Sequence, residues 1–264
     1  MLTTRFVDGA PSWIDVGSSD IEGTASFYGG LFGWAFRPAG PDTEGYGFFE
    51  LAGRIVAGGT RLAPEQGPPA WTVHFQSPDA DATARAALRA GGSVPMPPAD
   101  VGEQGRTAIL ADHAGAPFGI WQPARRRGIE AAGEAGALCW VELHTPDVAR
   151  AAAFYRAALG WETSGVRFPG GVYTSLNPAG TGEEDMFGGL VPSADDPPEA
   201  GPARPSWLPY IGVADTDAVV ARAVGLGGTV RMPATSVAGV GRLARLEDPY
   251  GARFAVLRGD PRQS

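Results

Sequence analysis

Two stretches decide the fold: residues 13–34, WIDVGSSDIEGTASFYGGLFGW, and residues 140–161, WVELHTPDVARAAAFYRAALGW. At a fixed offset of 127, Trp13 meets Trp140, Asp15 meets Glu142, Asp20 meets Asp147, Phe27-Tyr28 meets Phe154-Tyr155, and Gly33-Trp34 meets Gly160-Trp161. Further on the offset is 136: Trp71 matches Trp207, Asp79 matches Asp215, Gly91-Gly92 matches Gly227-Gly228, Met96-Pro97 matches Met232-Pro233, and Asp112 and Gly115 match Asp248 and Gly251. Self-similarity at a fixed period implies two homologous halves. They are expected as domains at 1–123 and 137–264, joined by a linker at 124–136. The extra residues of the second half fall in 177–206, a Pro/Gly/acidic stretch that reads as a loop.

Each half divides again. Four segments share a short apolar run, a capping position, an Asp, a helical stretch and a closing Gly (Gly33, Gly91, Gly160, Gly227). In Ser77-Pro78-Asp79 and Thr145-Pro146-Asp147 the hydroxyl suits a helix cap, Pro the first helical position, and Asp the positive N-terminus. Glycine after the helix suits a left-handed closing residue. Three short apolar runs follow each helix, for example 34–39, 45–52 and 54–60 in the first quarter, and 93–97, 105–111 and 117–122 in the second. The repeating unit is therefore βαβββ, present four times. The predicted fold class is α+β, with paired units curving their sheets around a cavity and helices outside.

Composition narrows the function. The chain has 264 residues, 21 Lys+Arg against 29 Asp+Glu, and a net charge of −8. Every one of those cations is Arg, which excludes a Schiff-base lysine and a phosphate-loop lysine. An acidic chain without a basic stretch is a poor nucleic-acid ligand. A single cysteine, Cys139, excludes an internal disulfide and a Cys-rich metal site. No apolar run approaches the roughly 18 residues of a membrane span, and no leader pattern is seen, so a cytoplasmic protein away from membranes is expected. Neither a dinucleotide fingerprint nor a nucleophile elbow is present.

The paired units, with their Asp-x6-Phe-Tyr-x4-Gly-Trp motif and Asp-x2-Gly near each half's end, resemble the vicinal oxygen chelate superfamily. That group includes glyoxalase I, bleomycin- and fosfomycin-resistance proteins and extradiol dioxygenases. The resemblance covers about 8–122 and 137–258. It implies metal ligands on opening and closing strands of the units. Carried over, those positions fall at Trp13 and Trp140, near Val73 or His74, near Pro209 or Tyr210, and at Gly119 and Ala255, with Gly58 and Gly188 close to the equivalent place. The well-aligned positions carry no ligand, and His74 could serve only with the register shifted by one. No metal and no cofactor are therefore expected. A divalent-metal enzyme with ligands displaced to His74, His144 and Glu142 stays as an alternative.

Strand alternation places Trp13, Asp15 and Gly17 on one face, and Trp140, Glu142 and His144 on another. Asp15, Glu142 and His144 are the candidate catalytic residues, since a buried carboxylate beside a histidine is suited to proton transfer. The competing reading is that the acids only bond a neighbouring strand. Trp13, Trp71, His74, Trp140, Trp207 and Tyr210 are the candidate substrate-binding residues, because aromatic walls suit a small apolar or aromatic ligand. The competing reading is that these rings fill the cavity themselves. Cys139, which points away from the Trp140 face, reads as packing, and so do Phe27-Tyr28 and Phe154-Tyr155. Three functions follow: a metal-independent acid/base enzyme (isomerase, lyase or cyclase type) in secondary metabolism, a drug- or metabolite-sequestering resistance protein, or the displaced-ligand metal enzyme. A monomer or a homodimer is compatible with four units in one chain.

Overall fold

The computed structural model describes residues 2–40, 43, 45–168, 171–193 and 204–260. These follow one another as four βαβββ modules. The first is β1 (Pro11–Ser18), α1 (Ile21–Phe32), β2 (Ala35–Pro38), β3 (Gly47–Leu51) and β4 (Arg54–Arg61). The second is β5 (Ala70–Gln76), α2 (Ala80–Arg89), β6 (Ser93–Val101), β7 (Gly105–Ala111) and β8 (Pro117–Pro123). The third is β9 (Leu138–Thr145), α3 (Val148–Leu159), β10 (Glu162–Phe168), β11 (Gly171–Asn177) and β12 (Gly188–Pro192). The fourth is β13 (Ser206–Gly212), α4 (Thr216–Gly225), β14 (Thr229–Val237), β15 (Gly241–Glu247) and β16 (Arg253–Gly259). Strands β1–β8 make one eight-stranded sheet and β9–β16 another, an α+β fold built from two glyoxalase-like domains. In every module the closing strand lies parallel to the opening strand, and the two middle strands follow antiparallel.

The stretch 177–206, expected to be a loop, contains β12. Its Gly188-Gly189 start looks like a turn in sequence, but these glycines pair with Val141 and Glu142 of β9. Residues 194–203 of that stretch lie outside the described residues.

Helix starts also differ in detail from expectation. The Asp itself is the N-cap in all four modules: Asp20, Asp79, Asp147 and Asp215 accept from the backbone N–H three residues on. A carboxylate there both satisfies an orphan donor and meets the positive end of the helix. Pro78 and Pro146 therefore precede the cap rather than opening the helix. The upstream hydroxyl of Ser77 braces the cap by accepting from the Asp79 N–H, as Ser18 does for Asp20.

Two compact units emerge, each drawing modules from both halves of the sequence. One comprises Met1–Trp13, Thr72–Gly128 and Val141–Trp207; the other comprises Ile14–Trp71, Ile129–Trp140 and Leu208–Ser264. Helix α2 packs on α3 in the first, and α1 on α4 in the second. Each has an aromatic core around a helix tyrosine. Tyr28 touches Phe32, Trp34, Phe49, Trp71 and Phe254. Tyr155 touches Phe118, Trp161 and Trp207.

The polar atoms of these cores are paired in the same way. The Trp71 indole N–H donates to the Tyr28 hydroxyl at 2.8 Å, which donates to Asp248 at 3.1 Å. In the other unit Trp207 donates to Tyr155 at 2.9 Å, and Tyr155 to Asp112 at 3.5 Å. The second oxygen of each Asp closes its own turn, accepting from Ala114 and Ala116 or from Tyr250 and Ala252. That explains the Asp-x2-Gly repeat. Burial, and then the neighbouring Asp, pushes both tyrosine hydroxyls well above their usual ionisation range. Burial likewise raises the Asp248 carboxyl.

Removing either hydroxyl leaves an indole donor and a carboxylate oxygen unpaired in an apolar setting. Y28F and Y155F are each expected to lower stability by about 1–3 kcal/mol, read as the denaturant midpoint at unchanged slope. The raised Asp248 value carries a sign. From the ordinary carboxylate value of about 4 up to Asp248's raised value, the folded chain binds more protons than the unfolded one, so stability contributed by this group falls as pH rises. Across that window, the stability of D248N relative to wild type should rise with pH; a flat difference would show that Asp248 titrates normally.

Candidate functional site

The parallel pairing of opening and closing strands brings one polar side chain opposite one small residue in every module. Asp15 pairs with Gly58, His74 with Gly119, Glu142 with Gly189, and Tyr210 with Ala255. The alternation of β1 and β9 is as expected. Ile14 and Val16 are fully buried on one face, while Asp15 and Gly17 are only half-buried on the other. Glu142 and His144 share a face of β9, with Val141 and Leu143 fully buried on the opposite one.

Around Glu142 the structure assembles three groups. Tyr173, on β11, donates its hydroxyl to Glu142 Oε1 at 2.9 Å. His144 Nε2 lies 3.6 Å from Glu142 Oε2, and the two side chains are 6% and 11% exposed. This geometry places an imidazole and a phenol donor around one buried carboxylate. The first module repeats the acid–tyrosine part: Tyr46 donates to Asp15 Oδ2 at 3.4 Å. There the His144 position is Gly17, where a Cβ would press on Leu62. Neither tyrosine stands out in the sequence, where Tyr46 falls inside the apolar run 45–52. The signal was present, for Tyr46 and Tyr173 stand at the same offset of 127 as the acids.

The glycines opposite the acids make this possible. A Cβ at Gly58 would collide with the Tyr46 hydroxyl, and one at Gly189 with the Tyr173 hydroxyl and ring. A Cβ at Gly119 would likewise collide with the His74 imidazole. The ring of each polar residue thus occupies the room that a closing-strand side chain would take.

The other candidate residues are placed as follows. Trp71 and Trp207 are buried and stand in the aromatic cores, hydrogen-bonded to Tyr28 and Tyr155. Trp13 is buried, with the Arg126 guanidinium 5.7 Å over its ring. Trp140, Tyr210 and Ala255 meet in a cluster with Cys139 and Leu208. His74 is buried on β5. Within single units, then, Glu142 and His144 come together, as do Trp140 and Tyr210.

The Glyoxalase-like domain family matches residues 13–121 and again 140–257. The chain belongs to the vicinal oxygen chelate superfamily. It is 39% identical to the anthracycline biosynthesis protein DauV of Streptomyces sp. (strain C5), over 96% of this chain and 94% of that protein. Its fold is similar to that of 2,2',3-trihydroxybiphenyl 1,2-dioxygenase from Sphingomonas wittichii strain RW1 (TM-score 0.65, 15% identity, 96% of this chain and 91% of that one). It is also similar to the Mn(II)-bound glyoxalase from Novosphingobium aromaticivorans (TM-score 0.63, 16% identity, 98% and 86% covered).

The superfamily's metal does not fit these residues. All four closing-strand partners, Gly58, Gly119, Gly189 and Ala255, lack a donor atom, and three of them are filled by a neighbouring Tyr or His ring. Among the described residues no three His, Cys, Asp or Glu side chains converge. Also among the described residues, no helix is long and apolar enough to cross a membrane.

Cys139 is buried in the core. Burial pushes its thiol up to about 12, and its Sγ points to the Tyr210 carbonyl at 3.3 Å. In native protein at pH 8, Ellman's reagent should find no titratable thiol over minutes, and one thiol per chain once denatured.

Proposed function

We propose that this protein binds a planar aromatic polyketide of the anthracycline type and acts on it by acid/base chemistry at Glu142 and His144. The observation that carries the reading is the buried carboxylate of Glu142 held between the Tyr173 hydroxyl and the His144 imidazole. Its setting is supported by the relative named for anthracycline biosynthesis, which aligns along nearly the whole chain. Glu142 takes a proton from carbon next to a substrate carbonyl. A ring N–H of His144 stabilises the enolate that forms; return of the proton at another carbon gives an isomerisation, departure of a leaving group β to the carbonyl an elimination, and attack of the enolate carbon on a second carbonyl a cyclisation.

The test is incubation of the purified chain with a panel of anthracycline aglycones, followed by mass spectrometry and absorbance. E142Q is expected to cut turnover by about 10²–10⁴-fold while the dissociation constant moves only a few-fold. Dialysis against a chelator should leave turnover unchanged. Tight binding with the ligand recovered intact would instead establish sequestration, for which the net charge of −8 suits a cationic aromatic compound. Turnover lost on chelation and restored by a divalent ion would overturn the metal-independent reading.

A further inference from the structure

The chain makes the same arm twice, once before β1 and once before β9. Gly9 and Gly136, at the offset of 127, both lie in the left-handed region, at φ +83° and +82°. Each offers its carbonyl to a buried indole: Trp161 donates to Gly9 and Trp34 to Gly136, both at 2.7 Å. Each arm is also laced to the end of an opening strand. The Gly9 N–H donates to the Gln76 carbonyl and the Gln76 N–H to that of Ala10, both at 2.8 Å. In the same way Gly136 donates to Gly212 at 2.8 Å, and Gly212 to Ala137 at 2.9 Å. A Cβ at Gly9 would press on the Trp161 ring and the Leu159 carbonyl. The first arm belongs to the unit that carries Glu142, the second to the other unit.

The two arms are not equally relaxed. Where the second has Gly133 at φ +73°, the first has Phe6 at φ +42°. A bulky residue is strained in this region, whereas glycine is not. Ala52 also has a positive φ, but it sits in the β3–β4 hairpin turn, where left-handed residues are usual. Phe6 lies in no hairpin; its buried ring rests where a Cβ at Gly128 would be. The second arm is tied further. The Glu130 N–H donates to the Ile55 carbonyl at 2.6 Å, Glu130 Oε2 accepts from the Ile55 N–H at 2.8 Å, and Arg54 pairs with Glu134. The first arm adds the Gln76 side chain, which donates to the Phe6 carbonyl at 2.9 Å, and an exposed Arg5–Asp185 ion pair at 3.4 Å. Backbone strain persists only while its surroundings hold it, and it favours a second, relaxed state.

Contacts lead from the first arm to the candidate site. Trp161 packs on Phe187 with ring centroids 5.2 Å apart. The Phe187 carbonyl accepts from the Val141 N–H at 3.1 Å, and the next residues, Gly188-Gly189, are the register partners of Val141 and Glu142. The Glu142 and His144 side chains are only 11% and 6% exposed, so contact with a ligand requires this region to yield.

We propose that residues 6–10 are a releasable strap: they detach from Gln76 and Trp161 ahead of global unfolding, and their release loosens Phe187 and Gly188-Gly189 beside Glu142. Such local openings belong to the least stable contacts of a fold and spread through packed side chains and paired backbone. The strap is independent of which reaction the site performs.

The test is hydrogen exchange of the full chain followed by NMR, with the indole N–H groups of Trp161 and Trp34 as matched reporters. In wild type Trp161 should exchange about tenfold faster than Trp34, the factor to which the cost of a left-handed non-glycine residue corresponds. F6A and F6G both remove the ring, and only F6G removes the strain. Trp161 should therefore exchange about fivefold more slowly in F6G than in F6A, with the amides of residues 188–190 slowing by the same factor and Trp34 unchanged. G133A, which puts strain into the second arm, should speed Trp34 about fivefold and leave Trp161 as it was. Equal indole rates in wild type, with no difference between F6A and F6G, would overturn the strap. Both indoles speeding together in F6A would show exchange through global unfolding and overturn it as well. A response at Trp161 that the amides of 188–190 do not share would overturn the link to the site.

Discussion

Two short hydrogen-bond chains, Trp71 to Tyr28 to Asp248 and Trp207 to Tyr155 to Asp112, hold the architecture together. In each, a tyrosine on a helix of one module reaches an aspartate in a turn of a module from the other half of the sequence. The hydroxyl receives from an indole and gives to a carboxylate in a setting with little access to water. Such a buried polar group is costly if any partner is lost, so it admits one arrangement of the packed aromatic rings. The aspartate cannot move either, because its other oxygen closes the turn before the last strand. Module pairing, turn geometry and the last strand's register therefore depend on the same few atoms.

That register matters for chemistry. Each closing strand runs parallel to its opening strand with a small residue opposite the polar one. In three of the four modules a tyrosine or histidine ring takes the room beside that small residue. In those modules the closing strand's side of the site is set by side chains from other strands. Only the site occupants change, in keeping with the separation of fold from function.

Much of this was legible in the sequence. The repeat at 127 and 136 residues is carried by Trp, Asp and Gly, residues whose aromatic packing, capping and turn roles leave few substitutes. The βαβββ grammar and the shared face of Glu142 and His144 followed from strand alternation. What was missed depended on pairing between strands distant in sequence. Strand β12 hid behind Gly188-Gly189 because glycine reads as a turn, and here its lack of a side chain serves the packing of Tyr173. Tyr46 and Tyr173 were passed over because no local pattern links them to acids 31 residues upstream. Trp71 and Trp207 stand at strand starts, which leaves ligand contact and core filling both open in the sequence; their indole donors bond Tyr28 and Tyr155.

The interleaving of modules has a consequence for how the chain is made. The unit formed by Thr72–Gly128 and Val141–Trp207 has all its parts once residue 207 has left the ribosome. The other also draws on the fourth module, so Tyr28 waits for Asp248 and Phe254 until that module has been made. During that interval the first-made module presents an aromatic face with no native partner, a state prone to association with other nascent chains. Loss of the fourth module would therefore expose the aromatic face of the first rather than that of its sequence neighbour, the third.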